Sequence, residues 1–222
     1  MGTLYLVRHG QASFGSDDYD RLSPLGQHQS QRLGEHWRAH GLHFDAVYTG
    51  TLLRQRQTWA GIAQGLGSSL EPHEWPELNE YDSAALIEAL HAHPSAPAHT
   101  PQGYREHFRL LRDALRQWSA GVLTPRGMGS HADFVAGVNA VLERVRTLHT
   151  GRVLIVSSGG PIATAVGQVL GTTPETAIEL NLRLRNTALT EFDFNPKRHT
   201  LLSFNTLPHL TQPEQAAWVS YA

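Results

Sequence analysis

Residues 152–166 read RVLIVSSGGPIATAV. Val153, Leu154, Ile155 and Val156 form an unbroken apolar run, the pattern of a strand covered on both faces of a parallel sheet. Ser157, Ser158, Gly159 and Gly160 end that run, and Pro161 is pre-set for the first turn of a helix built from small residues. A strand that passes directly into a helix delivers side chains and backbone N–H groups to one point, where an anion can bind. LYLVRHGQ at 4–11 is a second strand of this kind, ending on Arg8, His9 and Gly10.

Working outward, strands are predicted at 3–7, 44–48, 153–157 and 188–194, with 199–205 as an edge partner. Helices are predicted at about 24–40, 51–65, 83–92, 104–119, 131–149 and 160–170. Ser23-Pro24 is a cap and first-turn pair for the first helix, and Gly41 stops it. Alternating strands and helices imply a doubly wound α/β sheet whose ligands sit at the carboxyl ends of the strands. HAHPSAPAHTPQGY at 91–104 leads into a helical insertion that LTPRGMGS at 123–130 closes. Residues 1–222 are thus expected to form a single domain, with the 91–130 insertion over the site.

Composition narrows the function. The chain has 222 residues, a formal net charge of −2, 40% hydrophobic residues and no cysteine. Disulfides, thiolate metal sites and cysteine nucleophiles are excluded outright. The charge leaves no nucleic-acid footprint, and no apolar run approaches a membrane span. The N-terminus enters a strand at once, without a signal-peptide pattern, and Leu6 occupies the place where a myristoylation motif needs Ser or Thr. A cytoplasmic setting is expected. With fourteen histidines, a lone histidine carries little information.

His9 at a strand's carboxyl end is oriented by the sheet, Gly10 permits close backbone approach, and Arg8 is a permanent planar cation suited to phosphate. The same residues fit a buried histidine beside a surface arginine. In VYTGTLLRQRQTW at 47–59, Arg54 falls near the start of a helix, where a cation opposes the dipole. It makes better sense there sharing an anion with the helix N-terminus. Arg56 points elsewhere on the helix.

YLVRHGQ, DRLSPLGQHQSQRLG, VYTGTLLRQRQTW and ELNEYD, taken in order, resemble the motifs of the histidine phosphatase, or phosphoglycerate-mutase-like, superfamily. The resemblance runs from residue 3 to about 194 and implies a three-layer α/β/α sandwich with a mostly parallel sheet. It also implies His9 as the nucleophile that takes a phosphoryl group, Arg8 and Arg54 as the cations that grip it, and Glu80 as the acid for the leaving oxygen. Gly10, Gln11, Ser158 and Gly159 fall around the phosphate. No metal or cofactor is implied, and the expected partner is a small phosphorylated substrate or inorganic phosphate.

One departure matters most. The superfamily's last motif usually reads Ser-His-Gly, whereas this chain has Ser157, Ser158 and Gly159. Ser158 replaces a histidine with a shorter, uncharged donor. Losing a charge-assisted bond costs about 1.5–3 kcal/mol, roughly ten- to a few-hundredfold in rate. The amides of Gly159 and Gly160 are expected to keep part of the anion site, and His107 or His131 is a candidate substitute. Ser158 is not a nucleophile elbow, because Val156 stands where the first glycine belongs. Ala12 stands where a hydroxyl residue often follows the first motif, with Ser13 or Gln11 as a substitute donor. Tyr81 and Asp82 replace the basic and glycine residues of mutases, and a carboxylate there repels a second phosphate.

Other features favour bland readings. Arg105, Arg109, Arg112 and Arg116 form a stripe read as a solvated face rather than an electropositive lid. His36 and His40 have metal-ligand spacing but lack a third ligand. DDYD at 17–20 reads as turn chemistry, and Trp37, Trp59 and Trp118 as core. The favoured function is a metal-independent phosphomonoester hydrolase working through phospho-His9. The alternative is a phospholigand-binding module that has lost turnover, and a mutase is disfavoured.

Overall fold

The stretch quoted first becomes β4 (Arg152–Ser157), which pairs in parallel with β1 (Gly2–Arg8) in the middle of a six-stranded sheet. The computed structural model describes residues 1–13, 20–91 and 100–221. β2 (Ala46–Thr49) and the two-residue β3 (His73–Glu74) extend the sheet in parallel on one side. β5 (Leu189–Asn195) and β6 (Arg198–Thr206) complete the order β3-β2-β4-β1-β5-β6, β5 antiparallel to β1 and β6 antiparallel to β5, so that β5 alone runs against the other strands. Only Pro196 and Lys197 join β5 to β6, and so short a link permits only a hairpin.

Side-chain alternation builds the layers. Leu4, Leu6, Val153 and Ile155 pack with residues of α5 (His131–Leu148) and α6 (Gly159–Leu170). Val7, Leu154 and Val156 pack with Leu33 and Trp37 of α1 (Pro24–Ala39) and Trp59 and Ile62 of α2 (Leu53–Leu66). Val153 to Val156 are completely buried, each stabilising the fold by roughly 1.5–3 kcal/mol. The result is an α/β/α sandwich.

Ser23 Oγ accepts from the Gly26 amide at 3.1 Å and Pro24 opens α1, while Gly41 follows its end at φ 63°. Thr100 and Pro101 repeat that device, so α4 (Pro101–Ser119) starts earlier than its apolar spacing suggests. α3 (Ser83–Ala89), α4 and α7 (Pro174–Asn181) share a further apolar cluster of Leu86, Leu111, Trp118 and Ile178. α7 is absent from the sequence prediction. Its Glu179 and Glu175 pair with Arg112 at 2.8 Å and Arg116 at 2.7 Å. The arginine stripe is therefore partly neutralised by a neighbouring helix, in bonds too exposed to contribute more than about 1 kcal/mol each. Residues 92–99, within the expected insertion, and all of DDYD except Asp20 lie outside the described residues.

His209 braces the loop before β5. It is 1% exposed, and its Nε2 lies 3.0 Å from Thr187 Oγ1. That hydroxyl donates to Asn186 O, so the imidazole donates to it through Nε2–H. Nδ1 is buried without a hydrogen-bond partner among the described residues. Burial, reinforced by His36 and Arg32, lowers its pKa to about 3. Because the unfolded chain takes up this proton near pH 6.5, stability is fully present above that pH and falls as pH drops toward the folded value. His209 alone should make the protein about 2 kcal/mol less stable at pH 5 than at pH 8. Urea unfolding across that range checks this, and the slope should flatten in His209→Gln.

Candidate active site

β1 and β4 end side by side, and the His9 amide donates to Ser157 O at 2.9 Å. The His9 side chain is buried, and its Nδ1–H donates to Gly10 O at 2.8 Å. The Nε2 lone pair is thereby exposed to Arg54, whose Nε–H donates to it at 3.3 Å. Burial, then Arg54 and Arg8, hold the imidazole well below the usual histidine range, against a smaller opposing effect of Gly10. The ring is neutral at neutral pH, with an unprotonated nitrogen beside a cation.

Arg54 stands in the first turn of α2 and shares an anion with that helix start, as its position suggests. The anion is the carboxylate of Asp20. Oδ1 lies 2.7 Å from Arg54 Nη1, and Oδ2 accepts from the Leu53 amide at 2.8 Å. Arg8 donates through Nη1 to Leu184 O and Tyr221 O, and its charge acts on both His9 and Glu80. Glu80 follows the 3-10 turn Pro76–Leu78, and both its carboxylate oxygens accept from the Gly160 amide, at 3.0 and 3.1 Å. Burial raises its pKa, opposed in turn by the Gly160 amide, Arg54, Arg8 and the Tyr81 backbone. Glu80 is biased toward holding a proton and His9 toward lacking one.

The other predicted residues are placed differently. The Gly10 amide donates to Thr58 Oγ1 at 2.9 Å, and a Cβ on Gly10 would lie 2.4 Å from Gly26 O. Its lack of a side chain permits the close approach of α1. The Gln11 amide is engaged by Gln29 Oε1 at 2.9 Å, and its side chain accepts from Ser23 Oγ. A Cβ on Gly159 would lie 2.1 Å from Asn181 Oδ1, and Gly160 gives its amide to Glu80. Ser158 is completely buried and accepts from Gln55 Nε2 at 2.9 Å. Burial lowers the pKa of both His107 and His131, and neither senses Arg8 or Arg54. Asp82 caps α3 through the Ala84 and Ala85 amides. His36 and His40 stack at 4.3 Å, and His40 Nδ1 donates to His36 O. Trp37, Trp59 and Trp118 are core.

Three partners escape the sequence reading. Asp20 was signalled only by an acidic run before α1. Gln55 hides beside Arg54 in a polar helix, and Asn186, whose Nδ2 donates to His9 O at 3.1 Å, lies in a loop without a motif.

Comparison with known proteins identifies the family. The model of the histidine phosphatase superfamily (branch 1) matches residues 4–207. A protein of Hydrogenobacter thermophilus named "Putative phosphoserine phosphatase 2" is 27% identical, covering 96% of this chain and 99% of its own. A crystal structure of a phosphoserine phosphatase mutant from Entamoeba histolytica in complex with phosphoserine superposes with a TM-score of 0.68. It is 21% identical and covers 95% of this chain and 100% of its own. A mycobacterial glucosyl-3-phosphoglycerate phosphatase with inorganic phosphate has a TM-score of 0.67 at 19% identity, covering 94% and 99%. At these identities the two structures speak for the fold alone. The family match over most of the sequence, with His9, Arg54 and Glu80 converging at the strand ends, makes this chain a member of the histidine phosphatase superfamily.

Proposed function

We propose that the protein is a phosphomonoester hydrolase that forms a phosphohistidine on His9 without a metal ion. The observation that carries the reading is the neutral His9 ring, with Nδ1–H fixed on Gly10 O and Nε2 facing Arg54 at 3.3 Å. In the first step Nε2 attacks phosphorus, forming an N–P bond as the P–O ester bond breaks. Glu80, whose carboxyl pKa burial raises, gives its proton to the leaving alkoxide. In the second step water attacks the phosphoryl group, Glu80 takes the water's proton, and His9 is restored as phosphate departs. Positioning and charge neutralisation provide most of the catalysis in such a reaction, and a proton for a poor leaving group provides the rest.

Arg8 and Arg54 neutralise the transferring group, with Ser158 as a neutral donor and the Gly159 segment beside it. The substrate is a small phosphate monoester, in keeping with the names of the relatives. Residues 1–222 act as a single domain whose 91–130 segment shapes the substrate entrance, and a cytoplasmic setting fits a chain without cysteine. Among the described residues no helix is long and apolar enough to cross a membrane.

The test is mass spectrometry of the protein quenched at alkaline pH, where phosphohistidine survives, during turnover of p-nitrophenyl phosphate. A phosphoryl adduct on His9 is the expected result. Turnover without any adduct on His9 would overturn the reading. Phosphate binding without turnover would favour the non-catalytic module.

A further inference from the structure

We propose that Gln55 is a positioning residue that aims the Ser158 hydroxyl proton at the phosphoryl group carried by His9. The inference deepens the phosphohistidine reading and rests on it.

Gln55 is completely buried on α2, next to Arg54. Its Nε2 donates to Leu78 O at 2.9 Å and to Ser158 Oγ at 2.9 Å. Oε1 is buried with no hydrogen-bond partner among the described residues, and a Cβ on Gly50 would lie 1.9 Å from it. The amide cannot simply turn over to remedy this. Its oxygen would then face Leu78 O, a carbonyl that can only accept and that already receives the Ser157 hydroxyl at 2.6 Å. The Leu78 carbonyl therefore fixes the amide, and the amide fixes the role of Ser158 as acceptor from Gln55.

A serine hydroxyl has one proton and two lone pairs. With one lone pair taken by Gln55, the proton is directed away from that amide. Among the described residues the proton meets no acceptor, although Ser158 is completely buried. His9 leaves the adjoining strand at the same level. Arg8 and Ser157 are register partners on β1 and β4, and the His9 amide bonds to Ser157 O, so positions 9 and 158 leave the sheet together. The phosphoryl oxygens on His9 supply the missing acceptor. One amide thus ties the segment bearing Arg54, the turn leading to Glu80, and the Ser158 donor. The donor is neutral and does not titrate, so it adds no limb to the pH profile near neutrality.

The test uses the full-length protein and p-nitrophenyl phosphate. His9 labelling in the wild type is measured first. It reports on the phosphohistidine reading alone, because it does not depend on which side chain donates to the phosphoryl group. Gln55→Leu removes both donors at similar size and should lower kcat about tenfold with KM within about twofold. Gln55→Glu should lower kcat further, because a carboxylate captures the Ser158 proton and turns lone pairs toward the phosphoryl group. In a Ser158→Ala background both substitutions should cost less than about twofold, the coupling expected of a pair acting as one unit. Equal losses in the two backgrounds would overturn the proposal. If the Gln55 variants fail to fold, Ser158→Ala alone decides. A kcat loss of about tenfold with thermal stability retained sustains the proposal, and unchanged kcat ends it.

Discussion

Replacing His9 with alanine should lower kcat by about 10⁴-fold or more and eliminate the phosphoryl adduct, while the protein remains folded. No other imidazole among the described residues combines an unprotonated buried nitrogen with the influence of both Arg8 and Arg54. The loss should therefore not be rescued from within the site. Folding should survive, because the backbone bonds of residue 9 to Ser157 and Thr187 do not depend on its side chain. A second signature follows from charge. The buried neutral ring resists protonation, so wild-type kcat/KM should fall as pH drops through the lowered His9 pKa, below the ordinary value of 6.5. Steady-state kinetics on p-nitrophenyl phosphate, with circular dichroism as the folding control, checks both points. Residual activity within tenfold of wild type would mean that another group attacks phosphorus.

Replacing Glu80 with glutamine should lower kcat on an alkyl phosphate by about 10²- to 10⁴-fold. The loss should be far smaller on p-nitrophenyl phosphate, whose phenolate departs without a proton. Glutamine keeps the size of the side chain and lets its carbonyl oxygen accept from the Gly160 amide, so the difference reports on the proton. The wild-type rate should fall as pH rises through the raised Glu80 pKa, and this limb should vanish in the variant. A uniform loss on both substrates would assign Glu80 to binding instead. Measuring kcat for both esters from pH 4 to pH 9 separates the outcomes.

How much of this was legible in the sequence depends on the range of the interaction. β1 and β4 announce themselves because sheets covered on both faces demand continuous apolar runs. α1 does so because Ser23-Pro24 is a local cap. Thr100-Pro101 and Thr173-Pro174 carry the same signal, yet apolar spacing alone starts α4 at 104 and passes over the eight-residue α7. β3, at two residues, is shorter than any periodicity. β5 and β6 were recognisable as strands but not in direction, which depends on the antiparallel pairing of β5 with β1 and of β6 with β5. In the site, His9, Arg54 and Glu80 are legible through ordered motifs. Asp20 and Arg54 are separated by 34 positions, and Gln55 and Ser158 by 103. Their bonds leave no local trace, because each requires the folded sheet to bring the two residues together.

The carboxylate at the mouth of α2 has a kinetic meaning. A guanidinium left bare in a cleft would cling to the product ion, and each cycle would end in a slow escape. Asp20 supplies a resident counter-ion for Arg54 at 2.7 Å. In the proposed reaction that carboxylate would compete with the phosphoryl group for the cation, weakening capture of a doubly charged guest and easing its release.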